Sequence, residues 1–368
     1  MFIDNIYNKK HSEEFFFEAI RSSGLPVILF GAGDMVCYIL TYLRYNKIEP
    51  LYICDNNKEK QGRIYLGLPI LSYDTFKKKS KEFGGKYNIV VSVGTEFRDS
   101  IFAQLEKENE QNKVFYLRGY ELCGNKIDYQ YVINNLTQFE EAYYSFADIY
   151  SQKVFINVLN AKLSGNFSLY TDIYSPTMYF DKDIIMLSDH EVFLDIGAYK
   201  GDAIVEFSKI TNGQYDSIVA FEPDKNTLDI LKNTIETNGI KKIELHNIGA
   251  WHKHTYLDFQ DNRGESSRLS ETDNILSTTS VQVDKIDSIL KGNRITYIAM
   301  DVEGSEHNAI LGSEQTIKKW KPKMAVCVYH KREDLFDILL LLKSFVPEYK
   351  FYLRHYTNNQ TETVLYAI

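Results

Sequence analysis

The chain has 368 residues, 44% of them apolar and 25% charged, a globular composition too long for one ordinary core, so two domains are expected. A formal net charge of −8 with no basic stripe excludes a nucleic-acid polyanion as the main partner, and Lys77–Lys81 reads as a solvated helix end. The most apolar run, Ile338–Leu342, is far short of the ~20 residues that a membrane span needs.

Residues 1–120 read as a small Rossmann-like α/β unit. Val27–Phe30 is a buried strand, followed by Gly31-Ala-Gly33 and a helix to about Asn46. Pro50–Asp55 is the second strand, Gln61–Gly67 is hairpin-like, Asn88–Val93 is a further strand, and Lys113–Leu117 closes the unit. Gly31 and Gly33 begin a dinucleotide fingerprint, but Val36 stands at its third glycine position. Asp55 lies 24 residues after Gly31 and could take a ribose. A nucleotide or sugar-nucleotide site and a scaffold that only packs both remain open for this unit. Residues 121–180 read as a helical connector, with Thr137 and Ser151 at N-cap positions ahead of helices Gln138–Ile149 and Gln152–Leu163.

Strand–helix alternation resumes at Glu191 and fills residues 181–368. Strands are expected at 192–196, 217–221, 242–247, 295–300 and 323–329, with a β-rich insertion at 250–283. Lys350–His355 and Thr361–Ala367 form a final hairpin across a tight turn, Thr357–Gln360. The fold class is therefore α/β: two Rossmann-like units joined by a helical connector, the second a seven-stranded sheet with one antiparallel strand.

Chemistry gathers at the carboxyl ends of that second sheet. The first strand runs Val192-Phe-Leu-Asp195-Ile-Gly197-Ala198-Tyr199-Lys-Gly201-Asp202, and the second ends Phe221-Glu222-Pro223. A pyrophosphate needs a turn free of negative charge, with N–H groups aimed at it. Here Asp195 and Asp202 flank the turn, so a cationic ligand suits it better: S-adenosyl-L-methionine (SAM), which carries a sulfonium and an ammonium. Glu222, 27 residues after Asp195, is placed to take the ribose hydroxyls. Asn247 with Ala250 and Trp251 at the third strand end would offer an adenine a small residue and a ring. The fourth strand end carries Asp301, Glu303 and Glu306, and the fifth carries His330. Asp301 and His330 are candidate bases for an acceptor hydroxyl, a poor nucleophile that must lose its proton as methyl arrives. Glu306 could equally be a first-turn acid complementing its helix dipole. Arg354 and His355, with Tyr356, read either as an anion-binding group for the acceptor or as ordinary sheet residues. Ser266-Ser267-Arg268 would overhang the same edge as a lid.

This set of motifs resembles the FkbM-type family of SAM-dependent methyltransferases over residues 180–368. It rests on Asp195–Asp202, Ala220-Phe-Glu-Pro223, Asp301-Val-Glu-Gly-Ser-Glu306, Tyr329-His330 and Tyr352-Leu-Arg-His-Tyr356, and looks like the branch with an extra N-terminal Rossmann-like domain. The resemblance implies O-methylation of hydroxyls on sugars of surface polysaccharides or on natural products. By the same analogy Asp195, Gly197, Gly201 and Glu222 hold the cofactor, while Asp301, Glu303 and His330 face the acceptor. One departure stands out: the family often has Lys where this chain has Ala299, two residues before Asp301.

The expected protein is a SAM-dependent O-methyltransferase with a small-molecule or glycan substrate and no membrane insertion, and a second copy of the chain is a candidate partner. Competing readings are an NAD-dependent sugar-modifying enzyme using the first domain, and a non-catalytic protein that senses SAM or a nucleotide sugar. The first would need a Tyr-x-x-x-Lys pair, and Tyr87 lacks such a Lys. Mg²⁺ held by Asp301, Glu303 and His330 is left open. Cys37, Cys54, Cys123 and Cys327 form no CxxC pair, and the N-terminus lacks a signal peptide's charged and apolar regions, so a cytoplasmic location is expected.

Overall fold

The protein is described by a computed structural model at residues 2–6, 12–33, 35–108, 113–116, 127–164, 166, 168–260, 268–270 and 279–368. It divides into two compact units: residues 8–130 with 162–165, and residues 1–7 with 131–161 and 166–368.

In the first unit six strands form one sheet: β1 (Val27–Phe30), β2 (Tyr52–Cys54), β3 (Ile64–Tyr65), β4 (Leu68–Leu71), β5 (Asn88–Val91) and β6 (Lys113–Tyr116). Their order is β3-β4-β2-β1-β5-β6, all parallel except β3, which turns back on β4. All residues of β1 and β5 are buried, in keeping with the apolar run of β1 and of β5 after Asn88. Leu29 and Val90 pack with Val36, Ile39, Leu40 and Leu43 of helix Met35–Tyr45, and Ile28, Ile89 and Val91 pack with Tyr73 and Phe76 of helix Tyr73–Ser80.

The second unit continues the strands: β7 (Val192–Ile196), β8 (Ser217–Phe221), β9 (Ile243–His246), β10 (Gly249–Ala250), β11 (Thr255–Gln260), β12 (Arg268–Ser270), β13 (Thr279–Asp284), β14 (Tyr297–Met300), β15 (Lys323–Cys327), β16 (Phe351–His355) and β17 (Thr363–Ala367). The main sheet runs β16-β17-β15-β14-β7-β8-β9, with β17 antiparallel to both of its neighbours. The expected β-rich insertion is a four-stranded sheet, β10-β13-β11-β12. Strand order reverses between β7 and β14, and there the two chain directions part to leave a crevice at the carboxyl edge. Gly197 sits in that crevice at φ +88°, and a Cβ on it would lie 1.8 Å from the Asp301 carbonyl oxygen. Glycine is required both by the backbone angle and by the space.

Two local expectations are corrected. Ser151 is not an N-cap but a buried residue inside helix Ile149–Ser164; Asp148 caps that helix, its Oδ1 accepting from the Ser151 N–H at 2.6 Å. The Ser151 hydroxyl instead accepts from the Leu353 N–H of β16 at 2.9 Å, a demand from tertiary structure that local sequence does not reveal. Thr137 likewise lies inside helix Leu136–Ser145. The last hairpin has no tight turn: residues 356–362 connect its strands, and Asn359 Oδ1 accepts from the Thr361 N–H within that loop.

Candidate functional site

The turn after β7 is built by hydrogen bonds from β8. The Phe221 carbonyl accepts from the N–H groups of Gly197 and Ala198, both at 3.0 Å, and the Gly201 N–H reaches back to the Ala198 carbonyl at 2.8 Å. Gly201 precedes helix Asp202–Ile210, with the exposed Asp202 in its first turn. Glu222 closes the turn from the side. Its Oε2 accepts from the Tyr199 N–H at 3.0 Å and its Oε1 from the Asp224 N–H at 2.9 Å, just past Pro223. Asn247 fixes the same segment, its amide donating to the carbonyls of Glu222 and Pro223 at 2.9 Å each.

Asp195 is the anomaly of this turn. It is 4% exposed, and among the described residues its Oδ2 has no hydrogen-bond partner. Its register neighbours on β8 and β14 are Ala220 and Ala299, which supply no polar group. Burial first, then the charges of Asp301 and Glu222, push its carboxyl up to about 8. Burial also lifts Glu222 to about 7, against the pull of its two N–H donors. Burial makes a negative charge costly at both carboxyls.

The end of β14 forms the opposite wall. The quarter-exposed Asp301 carboxylate is divided between two surroundings. Its Oδ2 is approached by the hydroxyls of Tyr179 at 3.3 Å and Tyr329 at 3.4 Å, while its Oδ1 lies 3.5 Å from His330 Nε2. His330, 3% exposed, sits just past β15; its Nε2 is 3.4 Å from Glu303 Oε2 and its Nδ1 is 2.9 Å from Glu306 Oε1. Burial works against a charged ring, yet Glu306, Glu303 and Asp301 together hold the His330 imidazole well above its usual range. Burial, with Glu306 and Glu303, raises Asp301 in spite of His330. Asp301, Glu306 and His330 present ligand-type atoms within 4.8 Å of one another, a set chemically able to hold a hard cation. Tyr179, Tyr199, Glu303 and Glu362, all at this rim, have φ between +46° and +63°, and such strain clusters at working sites.

The other expected residues have these surroundings. Ala250 and Trp251 belong to the insertion, where the Trp251 ring packs with Leu257, Val281 and Val283 in a small core. Arg354 is tied down structurally: it donates to Asp148 Oδ2 at 2.9 Å and Ser151 Oγ at 3.0 Å, with Asp181 Oδ2 3.6 Å away. His355 is fully buried, stacked on Tyr170 and paired with Thr363 Oγ1 at 2.9 Å. Ser266 and Ser267, and with them the lid expectation, lie outside the described residues, as does Cys123.

In the first unit, Gly31 at φ +113° passes so close to the β5 end that a Cβ would lie 2.3 Å from Val93 Cγ1. Asp55 Oδ2 accepts from the Ala32 N–H at 2.6 Å, and the Lys60 ammonium donates to the Ala32 carbonyl at 3.0 Å. Gly33 has open space where a Cβ would stand. The fingerprint loop between Gly31 and Gly33 is thus held by side chains of its own unit. Sequence reasoning missed Tyr179, Tyr329 and Glu362. Only Tyr329, next to His330, carried any signal.

The strand order, in chain sequence 6-7-5-4-1-2-3 with the last strand reversed, together with acids at its switch point, defines the class I methyltransferase fold. Residues 195–353 match the Methyltransferase FkbM domain family, and by this domain the protein is a SAM-dependent methyltransferase. The crystal structure of methyltransferase FkbM from Methylobacillus flagellatus KT is similar over 100% of this chain and 96% of its own, with a TM-score of 0.75 and 24% identity, a likeness of fold. An rRNA methylase from Streptococcus thermophilus (15% identity, 49% of this chain, 87% of its own, TM-score 0.32) and Aeropyrum pernix fibrillarin with bound S-adenosyl-L-methionine (11%, 51%, 71%, 0.33) are too distant to bear on the argument. No curated protein matches the chain. No helix among the described residues is long and apolar enough to cross a membrane.

Proposed function

We propose that the protein transfers methyl from SAM to a hydroxyl of a sugar, glycan precursor or related small molecule, in surface polysaccharide or natural-product synthesis. The observation that carries the cofactor assignment is Asp195, a buried carboxyl without a partner for Oδ2. A ligand with an ammonium and a sulfonium supplies a cation for that carboxyl, and its ribose hydroxyls suit Glu222, so the residues fit the cofactor. Asp195, Gly197, Ala198, Tyr199, Gly201, Asp202 and Glu222 would hold it, with Pro223 and Asn247 shaping the second strand end. Ala250 and Trp251 support the insertion beside it.

When bound, SAM supplies a methyl on a positively charged sulfur, which leaves with the C–S electron pair. The chain's part is to orient the acceptor oxygen and remove its proton. Asp301, Glu303 and His330 form the acceptor side, and a carboxylate raised by burial, as Asp301 is, is a stronger base than one in water. The hydroxyl class rests on the family resemblance and on this base; it fits an acceptor too weakly acidic to ionise alone. The test is incubation of the purified protein with SAM and a panel of glycans and nucleotide sugars, following S-adenosylhomocysteine. Release dependent on a hydroxyl acceptor supports the reading. Release only with amine or carboxylate acceptors, or NAD binding in place of SAM, overturns it.

A further inference from the structure

Tyr179 lies in the segment 172–191 that joins helix Ser168–Thr171 to β7. It has φ +62°, in a three-residue turn that the Phe180 N–H closes on the Met178 carbonyl at 2.8 Å. A turn of this hand is rare and strained at a residue with a Cβ, and such strain persists only where the surroundings fix it. Two neighbours fix this one. The Phe180 ring is buried against Phe193, Phe207 and Tyr297, with ring centroids 6.1, 6.1 and 5.7 Å away. The Tyr297 hydroxyl, on β14, donates to the Tyr179 carbonyl. The sharp reversal lets consecutive side chains part: Phe180 enters the core, and the Tyr179 hydroxyl donates to Asp301 Oδ2 at 3.3 Å. β14 thus carries the residue that pins the Tyr179 backbone and, immediately past its end, the carboxylate that the Tyr179 hydroxyl reaches.

The other donor to that oxygen, the Tyr329 hydroxyl at 3.4 Å, is shared with Glu362 Oε1 at 3.4 Å. Among the described residues the Tyr179 hydroxyl has no second carboxylate. Its further contact is the fully buried Cys327 Sγ at 3.5 Å, whose weak S–H can donate to the phenol oxygen. Hydrogen bonds that place a reacting group are often long until the reacting complex forms.

We propose that Tyr179 is a positioning residue for methyl transfer: its hydroxyl fixes the orientation of the Asp301 carboxylate on the acceptor side, and Tyr297 holds Tyr179 in place to do so. This rests on the methyl-transfer reading above. A carboxylate otherwise turns broadly about its Cβ–Cγ bond, and a small misplacement of a reacting group is costly in rate. A purely structural Tyr179 would fill space with its ring and leave Asp301 indifferent to loss of the hydroxyl. Tyr349 supplies the comparison. Its buried hydroxyl donates to the Pro322 carbonyl at 2.7 Å, just before β15 begins and so at the sheet edge opposite Asp301.

The test labels the aspartate carboxyl carbons of the full chain with ¹³C and assigns Asp301 by its loss in Asp301→Asn. In Tyr179→Phe the Asp301 resonance should move; in Tyr349→Phe it should stay. SAM affinity of Tyr179→Phe by calorimetry should remain within about twofold of wild type, while kcat with the best acceptor of the panel falls roughly tenfold to hundredfold and KM changes less than about threefold. Tyr297→Phe should lower kcat as well, and adding it to Tyr179→Phe should cost nothing further, since it acts through that hydroxyl. An unmoved Asp301 resonance in Tyr179→Phe overturns the proposal, and so does an undiminished kcat in that variant. If the variant fails to fold, wild-type crystals grown with S-adenosylhomocysteine decide. A Tyr179 hydroxyl within hydrogen-bond reach of Asp301 supports the proposal, and one turned away overturns it. Neither the resonance nor the crystal needs an acceptor, so failure of the hydroxyl reading in the panel is seen separately.

Discussion

Asp195 shows how a single residue links burial to ligand choice. Its carboxyl, pushed up to about 8, is mostly protonated at pH 7 in the free protein. Because the folded value lies above the unfolded one, its contribution to stability is full below about pH 4 and declines as pH rises toward 8. A cationic ligand reverses this by favouring the ionised form. SAM binding at pH 7 should therefore release on the order of one proton, read as a difference in calorimetric heat between buffers of unlike ionisation enthalpy. Equal heats in both buffers would contradict the assignment. Asp195→Asn should weaken SAM by roughly tenfold or more and abolish the release. The three-acid turn suggests a metal at first sight, and His330 stands within 3.5 Å of Asp301, Glu303 and Glu306 in the same cluster. Dialysis against a chelator should leave turnover unchanged; loss restored by Mg²⁺ would assign the cluster to a metal instead. At this scale the sequence showed the acids, because each stands at a strand end predicted from apolar runs. It did not show that Asp301 Oδ2 is approached by Tyr179 and Tyr329. Those hydroxyls come from segments whose convergence only the fold decides.

Elements explain why the site is where it is. β7 and β14 are parallel neighbours, and their register sets Ala299 beside Asp195. The departure from the family's lysine thus falls on one of the two strand positions that flank the orphaned carboxyl. Ala299→Lys should give Asp195 a resident cation, so SAM binding should release close to no protons; a release like that of the wild type would show that the side chain points elsewhere. Gly197 marks the same crossing, and Gly197→Ala sets a methyl against the Asp301 carbonyl oxygen while straining φ +88°. A loss of about 2–4 kcal/mol is expected in denaturant unfolding, with Gly213→Ala, which meets no neighbour, as the control for φ strain alone. Strand order was readable because βα alternation and a closing hairpin leave few topologies. Helix starts were not. Ser151 looks like a cap in isolation, and only the arrival of β16 reveals that its hydroxyl serves Leu353 and Arg354. Arg354, readable two ways in the sequence, has an ion-pair partner in Asp148 that its own strand does not announce.

At the scale of the whole chain, the first residues do not belong with the unit that follows them. Phe2 is fully buried, with ring centroids 5.4 Å from Tyr143, 6.0 Å from Phe155 and 6.3 Å from Phe139, and the Asn5 carbonyl accepts from the Asn160 amide at 2.9 Å. Residues 8–130 are therefore inserted between the tip and helices of one and the same unit. Nothing in the sequence announces this, since four residues of 3₁₀-helix carry no period to read. Phe2→Ala should destabilise the methyltransferase unit by about 3–5 kcal/mol, seen as a lower melting temperature, and SAM should restore part of it by mass action. An unchanged melt would mean that the tip is not bound in solution. The insertion also sets an order of events at the ribosome. Residues 2–6 emerge before residues 139–160, the surface they dock on, which follows well over a hundred codons later. Until those helices exist the packing of Phe2 cannot form, so this unit is completed only after the intervening one has been synthesised.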